Sequence, residues 1–528
     1  MSNHDLLLLS HAPAVLKCRL RRPKVVLPKA SSFLHSAGRQ RGAECIHSAH
    51  CHTQHKMKLI LLFSAVLVPM LWPFVVSAKP KYKPSQVKQY RHGSKTIVNV
   101  KDFKPARDGR NDDTAAFAAA LAKLEQTNGG ILLIPNGTYI VGDLRVRSGI
   151  SLIGAGPPPF PVLLKAPRAR TILDISSPMV SAQRPVLHDV TIQNLILRGR
   201  SAEQGFSEHI HNVSVVGITR LLVTHVRFEA FQGDGLYIGS RLQSSEHVSH
   251  NSQVEVVDST FDGSNYENRN GVSIIDCSHC RVEHCEFVNL SRADMPGGID
   301  LEPDWSDEIL SDVALRNNVI KSGGAAGISI VITRSEFDTP PSEMLVEGNQ
   351  IQNTRTGVLV QWRTAPPSGG SAPQAIIRSN SVTNAQRALV LDGTAGFLVE
   401  NNELLGSRRA VQLGLHFGIS NLHFAGNRLS DIGNDSGHGI VVFGPIEKSV
   451  FDGNIFIDLG STQGDGSAIY FARGSVNGVS FTGNTFSSPS HRTKTATASA
   501  FTTRLTSRNN LWKGNVLNDG ISSGVLSR

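Results

Sequence analysis

The chain has 528 residues, 40% of them hydrophobic and 18% charged, with 48 glycines and 25 prolines. That is too apolar and too weakly charged for general disorder, and long enough to bury a large core. The net charge of +10 is confined to the start: residues 1–78 and 79–110 each carry +8, residues 111–528 carry −6, and a nucleic-acid partner loses its electrostatic basis.

Residues 1–56 are rich in Arg, His and Ser and hold Cys18, Cys45 and Cys51. They read as an upstream extension that is not native, with translation starting at Met57. Met57-Lys58 is followed by a nearly unbroken apolar run from Leu59 to Val76 and then Ser77-Ala78. A positive start, an apolar middle and small residues at a cleavage point make 57–78 a secretory signal peptide. Pro69 and Pro73 weigh against a permanent membrane helix. The mature protein is expected to begin near Lys79, to be secreted (extracellular or periplasmic) without a stable membrane partner, and to start with a basic linker over 79–95.

Asp108-Gly109-Arg-Asn-Asp112-Asp113-Thr114 then leads into a helix with Phe117, Leu121 and Leu124 on one face, stopped by Gly129-Gly130. Such an amphipathic helix suits the open end of a solenoid. Beyond about residue 125 helical periodicity all but disappears and a short phrase recurs. It reads Asn194-Leu-Ile, Val226-Arg-Phe, Ser259-Thr-Phe, Cys285-Glu-Phe, Asn318-Val-Ile, Asn349-Gln-Ile, Asn380-Ser-Val, Asn402-Glu-Leu, Asn427-Arg-Leu, Asn454-Ile-Phe, Asn484-Thr-Phe and Asn515-Val-Leu, at intervals of 22 to 33 residues. A second phrase keeps pace: Gly235-Leu-Tyr-Ile, Gly271-Val-Ser-Ile, Gly298-Ile-Asp-Leu, Gly327-Ile-Ser-Ile, Gly357-Val-Leu-Val and Gly439-Ile-Val-Val, with Ala388, Ala410 and Ala468 in place of the glycine elsewhere.

Repeats too short to bury a core alone gain stability by stacking. The expected fold is all-β: a right-handed parallel β-helix over 96–520 with an N-terminal capping α-helix, then a tail over 521–528. The repeated asparagine belongs at a tight bend, bonding backbone and its counterparts above and below. Alternate residues of an extended strand face opposite ways, so Cys277, Cys280 and Cys285, with His279 and His284 between them, do not converge on one metal ion, and the cysteines read as core residues.

The Asp108–Phe117 segment, followed by Ile131-Leu-Leu-Ile-Pro135 and Gly149-Ile-Ser-Leu-Ile-Gly-Ala-Gly156, resembles the leading motif of the pectate lyase superfamily. That superfamily includes pectate lyases, rhamnogalacturonase-type hydrolases, uronan epimerases and phage tailspikes. Its usual Phe-Gly-Ala before the Asp-Gly step is replaced by Phe103-Lys-Pro-Ala-Arg-Asp108. Counting the repeats, the resemblance covers about 96–520; it implies a fold and a carbohydrate substrate, and leaves the reaction open.

In the glycine phrase, positions one and three are apolar and point inward, so positions two and four face outward. The outward pairs include Tyr237/Gly239, Asp300/Glu302 and Leu359/Gln361. The coil Gly298-Ile-Asp300-Leu-Glu302-Pro-Asp304-Trp305 stands out, because three acids at i, i+2 and i+4 on one exposed edge repel and need compensation. Arg241, Arg269, Asp276, Arg334 and Arg363 lie near strand ends of neighbouring coils, with Trp305 and Trp362 as sugar-stacking surfaces. Asp234 reads as a turn residue and His209 and His211 as loop residues, while His438 is too far along the coil to share this chemistry.

Three readings follow, the favoured one an enzyme cleaving an acidic, uronate-containing polysaccharide. In the first, Asp300, Glu302 and Asp304 hold Ca²⁺, which binds the uronate carboxylate and acidifies the C5 proton. The resemblance to pectate lyases implies Arg334 as the base of that β-elimination. In the second, Asp300 and Glu302 divide acid and base roles in inverting hydrolysis. In the third, the groove binds a glycan without catalysis. Tyr237, Arg241, Arg269, Asp276, Trp305, Gln361, Trp362 and Arg363 line the expected substrate groove.

Overall fold

The computed structural model describes residues 96–176, 186–241, 248–363, 374–393, 396–435, 437–460, 466–499 and 506–524. The expectations for 1–56, 57–78 and 79–95 fall outside the described residues. Among the described residues no helix is long and apolar enough to cross a membrane.

Short parallel strands wind into a solenoid whose coils stack in register as three sheets. The first sheet runs from Ile97–Asn99 to Leu511–Lys513 and the second from Asp108–Asp112 to Val516–Leu517. The third runs from Leu144–Arg145 to Ser522–Gly524 and forks at Arg387–Gly393, which pairs with both Val411–Leu413 and Ile419–Ser420. This is the right-handed parallel β-helix expected from the repeats.

Alternation builds the core. Along the first sheet Val254/Val256, Cys280/Val282, Val313/Leu315 and Met344/Val346 lie in matching register and are all buried. Cys277, Cys280 and Cys285 are free thiols within this core. Phenylalanines continue the rows: Phe261 stacks between Phe228 and Phe287, with ring centroids 4.5 and 4.9 Å apart, which is the spacing of neighbouring strands.

The asparagine phrase forms a continuous hydrogen-bonded ladder. The backbone N–H and side-chain Nδ2 of Asn349 both donate to Asn380 Oδ1, at 3.0 and 2.9 Å, while Nδ2 also donates to the Leu315 carbonyl at 2.9 Å. The same pattern runs from Asn318 through Asn402, Asn427, Asn454 and Asn484 to Asn515. The residue before each ladder asparagine has a left-handed backbone, with φ between 52° and 66° at Asn317, Gly348, Ser379, Asn401, Gly426, Gly453, Gly483 and Gly514.

One repeat is read a residue out of register in the sequence. Ile196 pairs with Arg227, which places Leu195 at the ladder position and Asn194 at the left-handed position before it, with φ 56°. Asparagine suits both places, since it tolerates a left-handed backbone as well as bonding across the bend.

The helix Thr114–Glu125 buries Phe117, Ala120, Leu121 and Leu124 against the first strands of the solenoid. Asp113 sits at its start without capping it; its carboxylate instead accepts the backbone N–H of Ala106 (2.6 Å) and Arg107 (3.0 Å). Gly130, with φ 148°, ends the turn because a Cβ there would collide with the Thr96 carbonyl.

Candidate active site

The strands Val213–Val216, Leu236–Gly239, Val272–Ile274, Gly297–Leu301 and Ala326–Ile332 follow one another along the third sheet. Their register places Tyr237, Ser273, Asp300 and Ser329 in one outward row. His211, Asp234 and Asn270 form a second row, two residues before the first paired residue of each strand. Together the rows bring a concentrated set of polar groups onto one face.

Arg269 is the hub of this set. Its guanidinium lies 3.3 Å from Asp234 Oδ2, 3.8 Å from Asp300 Oδ2, 3.4 Å from Glu302 Oε2 and 3.6 Å from Glu208 Oε1, and it also donates to Ser273 Oγ at 3.2 Å. Asn270 supports it, donating its backbone N–H to Asp234 Oδ1 at 3.1 Å and its side-chain amide to Asp300 Oδ2 at 3.2 Å. A fully buried carboxylate pair is tolerated because one guanidinium and one amide span it.

Burial raises the Asp300 carboxyl to about 6 despite the opposing pull of Arg269. Its Oδ1 has no hydrogen-bond partner. The expectation of an exposed edge therefore fails for Asp300, which points outward but lies beneath Arg269. Glu302, just past the strand and at the mouth of the site, is raised to about 8 by burial and by the charge of Asp300. Burial also acts on Asp234, but Arg269 and His211 outweigh it and hold that carboxyl below its usual range.

The ring of Tyr237 lies flat on that of His211, with centroids 4.7 Å apart and planes 8° apart. His211 Nδ1 lies 3.2 Å from Asp234 Oδ2 and is placed to accept the Asp234 backbone N–H at 3.1 Å. Burial, reinforced by the charges of Asp234, Asp304 and Glu308, pushes the Tyr237 hydroxyl above its ordinary value, so it stays protonated. Gly239 lets this happen: a Cβ there would run into the Tyr237 ring.

A turn over 304–308 forms the rim. Buried Glu308 accepts from Ser240 Oγ (2.6 Å), Arg241 Nη1 (3.3 Å) and the backbone N–H of Asp304 (2.5 Å) and Trp305 (2.8 Å). Burial raises its carboxyl to about 7. Arg241 is committed to this turn, with both Asp307 oxygens at 2.5–2.6 Å and its guanidinium 5.2 Å from the centre of the Trp305 ring. Trp305 is 56% exposed and remains available to a ligand.

Other expected groove residues separate from the cluster. Trp362 is fully buried and packs on Phe397 at 6.4 Å, so it is no sugar platform. Alternation explains it: with Val358 and Val360 inward, residue 362 must also face inward. Asp276 is buried too, accepting from His250 Nδ1 (2.8 Å) and the backbone N–H of Asn251 (2.9 Å) and Ile309 (2.8 Å), which pins loops rather than substrate. Arg334 is exposed at the rim and donates to the Asp304 carbonyl at 3.1 Å. Gln361 is half-buried two coils beyond Glu302, and Arg363 lies 5.9 Å from the centre of the Phe417 ring.

The three carboxylates expected to hold Ca²⁺ do not converge. Asp300 is buried under Arg269, Asp304 is exposed on the rim, and the guanidinium takes the central position a cation would fill. Among the described residues no group of three His, Cys, Asp or Glu side chains is arranged to hold a metal ion.

The sequence reads Asp234 as a turn residue and His211 as a loop residue, whereas the structure brings both to the site. The coil of His211 has Asn212 where the phrase has glycine, since Val213 pairs with Leu236, so that coil drops out of the pattern.

Residues 247–413 and 339–517, together just over half of the chain, match the sequence model of the right-handed β-helix region. The chain belongs to the right-handed β-helix family. Residues 97–318 also match the model described as rhamnogalacturonase A/epimerase, pectate lyase-like, in agreement with the superfamily resemblance of the leading motif. A 66-residue stretch is 39% identical to mannuronan C5-epimerase AlgE3 of Azotobacter vinelandii, covering 11% of this chain and 4% of that enzyme. A probable glucan endo-1,3-beta-glucosidase of Arthroderma benhamiae is 22% identical over 307 residues, covering 53% of this chain and 31% of the relative. The chain thus spans well under half the length of these relatives. Among solved structures, the N-terminal fragment of bacteriophage Phi29 gene product 12 aligns with a TM-score of 0.51 at 12% identity, covering 80% of this chain and 72% of the fragment, which is a likeness of fold.

Proposed function

We propose that the protein is a secreted polysaccharide lyase that cleaves a uronate-containing polymer by β-elimination. The observation that carries this reading is the Tyr237–His211 stack with Asp234 behind it, set beside Glu302, whose proton is retained near neutral pH. Elimination needs a base for the C5 proton, an acid for the departing glycosidic oxygen and relief of the uronate charge.

Each need has a candidate. In the tautomer whose Nδ1 proton goes to Asp234 Oδ2, 3.2 Å away, and not in the one whose Nδ1 accepts the Asp234 backbone N–H, His211 takes the C5 proton at Nε2. The charge retained on Asp234 favours this tautomer. The Tyr237 hydroxyl, held protonated, gives its proton to the oxygen leaving C4. The C5–H and C4–O bonds break, the C4–C5 double bond forms, and solvent returns the proton from imidazole to phenolate. Protonated Glu302 and Arg269 bond the substrate carboxylate as negative charge develops. The base expected at Arg334 is thereby reassigned to His211, because guanidinium stays protonated and this one sits at the rim. Similarity to a mannuronan epimerase supports a uronate substrate.

A second reading, inverting hydrolysis, is favoured by the separated titration of Asp300 and Glu302, one acid and one base near pH 7. Ultraviolet absorbance of unsaturated uronate, followed on alginate and polygalacturonate, separates the two. Lyase action raises it, whereas hydrolysis releases reducing ends without it. Binding without either product leaves a glycan-binding solenoid.

A further inference from the structure

The arrangement around Tyr237 recurs farther along the same face. His438 and Tyr470 are stacked with centroids 3.8 Å apart and planes 5° apart. Ile440 pairs with Ile469, placing His438 at the register position of His211 and Tyr470, one coil on, at that of Tyr237. Ser467, whose Oγ is 2.9 Å from His438 Nδ1, takes the position of Asp234. Ser467 in turn pairs with Thr495, so Lys494 occupies the position of Arg269. Four positions in three successive coils thus repeat an imidazole, a phenol ring, a polar partner and a cation.

The two copies differ where chemistry would need them to agree. The second has serine in place of the buried carboxylate of Asp234, and alanine in the row position of Ser273, since Tyr470 pairs with Ala498; the position of Asp300 falls outside the described residues. It keeps an aromatic platform and an exposed lysine without the acid–base set. Register pairings count eight inter-coil steps from Tyr237 to Tyr470, about 38 Å at strand spacing. The outward row between them beyond Asp300 is Ser329, Leu359, Val390, Gln412 and Val441; it carries no charge, with Leu359 and Gln412 half-buried and Ser329, Val390 and Val441 buried.

We propose that His438, Tyr470 and Lys494 form a remote, non-catalytic subsite that holds the far end of an anionic polysaccharide lying along the solenoid axis. The stacked rings take a sugar face and Lys494 takes a carboxylate. This rests on the uronate reading of the Tyr237 site.

The test measures binding of long alginate and polygalacturonate chains, and of their tetrasaccharides, by affinity electrophoresis, alongside turnover. Tyr470→Ala should weaken long-chain binding about tenfold and raise KM on long chains equally, while kcat and tetrasaccharide turnover stay unchanged. Tyr470→Phe should retain wild-type binding. Lys494→Ala, an exposed change that leaves the fold intact, should weaken long-chain binding and reduce its salt dependence. If wild-type protein binds polyuronate and Tyr470→Ala and Lys494→Ala bind it as tightly, the remote subsite is overturned and the uronate reading survives. If wild-type protein neither binds nor turns over polyuronate, both fall.

Discussion

Tyr237 and His211 come from successive coils, yet their rings meet face to face because the sheet register sets their strands side by side. Tyr237→Phe keeps that stack and removes one hydroxyl. Turnover should drop by at least about a hundredfold, with unchanged melting and unchanged polymer binding. Steady-state kinetics beside a melting curve checks this.

Gly239→Ala tests the same pair from below. The added methyl group collides with the Tyr237 ring, which must leave His211. The expected result is a lower kcat with little change in KM; full activity would show that the stack has no role.

Asp300, Glu302 and Glu308 make the fold acid-tolerant. Their folded carboxyls are raised to about 6, 8 and 7, so each contributes stability that is full below its unfolded value and is lost as pH rises through the folded one. Melting temperature should fall between about pH 4 and pH 8. Glu302→Gln should flatten the upper part of that fall. Asp300→Asn should gain stability over wild type above about pH 6, although Asp300→Asn and Glu302→Gln both lower activity.

The fold was legible in the sequence because a parallel coil writes its register into the chain: Asn318, Asn349 and Asn380 recur at one bend, and Gly271, Gly298 and Gly327 recur at the start of one strand. Asp300, Glu302 and Arg269 were legible for the same reason, as outward residues in an apolar pattern. His211 and Asp234 were not, since their chemistry arises from a neighbouring coil rather than from adjacent residues. Trp362 was misplaced because aromatic character was weighed above the parity of its own strand. The burial of Asp300 depends on a side chain one coil away, which spacing along the chain does not reveal.

Asn380→Leu should be among the most damaging single changes. It removes the acceptor for the Asn349 N–H and Nδ2 and the donor to the Val346 carbonyl, all buried. Each orphaned group costs about 1–3 kcal/mol, so a loss of several kcal/mol is expected in denaturant unfolding.

The most direct test of the account is mass spectrometry of the products made from polyuronate in water labelled with oxygen-18. Elimination through His211 and Tyr237 predicts unsaturated ends carrying no label, with product formation lost in Tyr237→Phe. Saturated products with labelled reducing ends, formed as fast by Tyr237→Phe as by wild type, would contradict it.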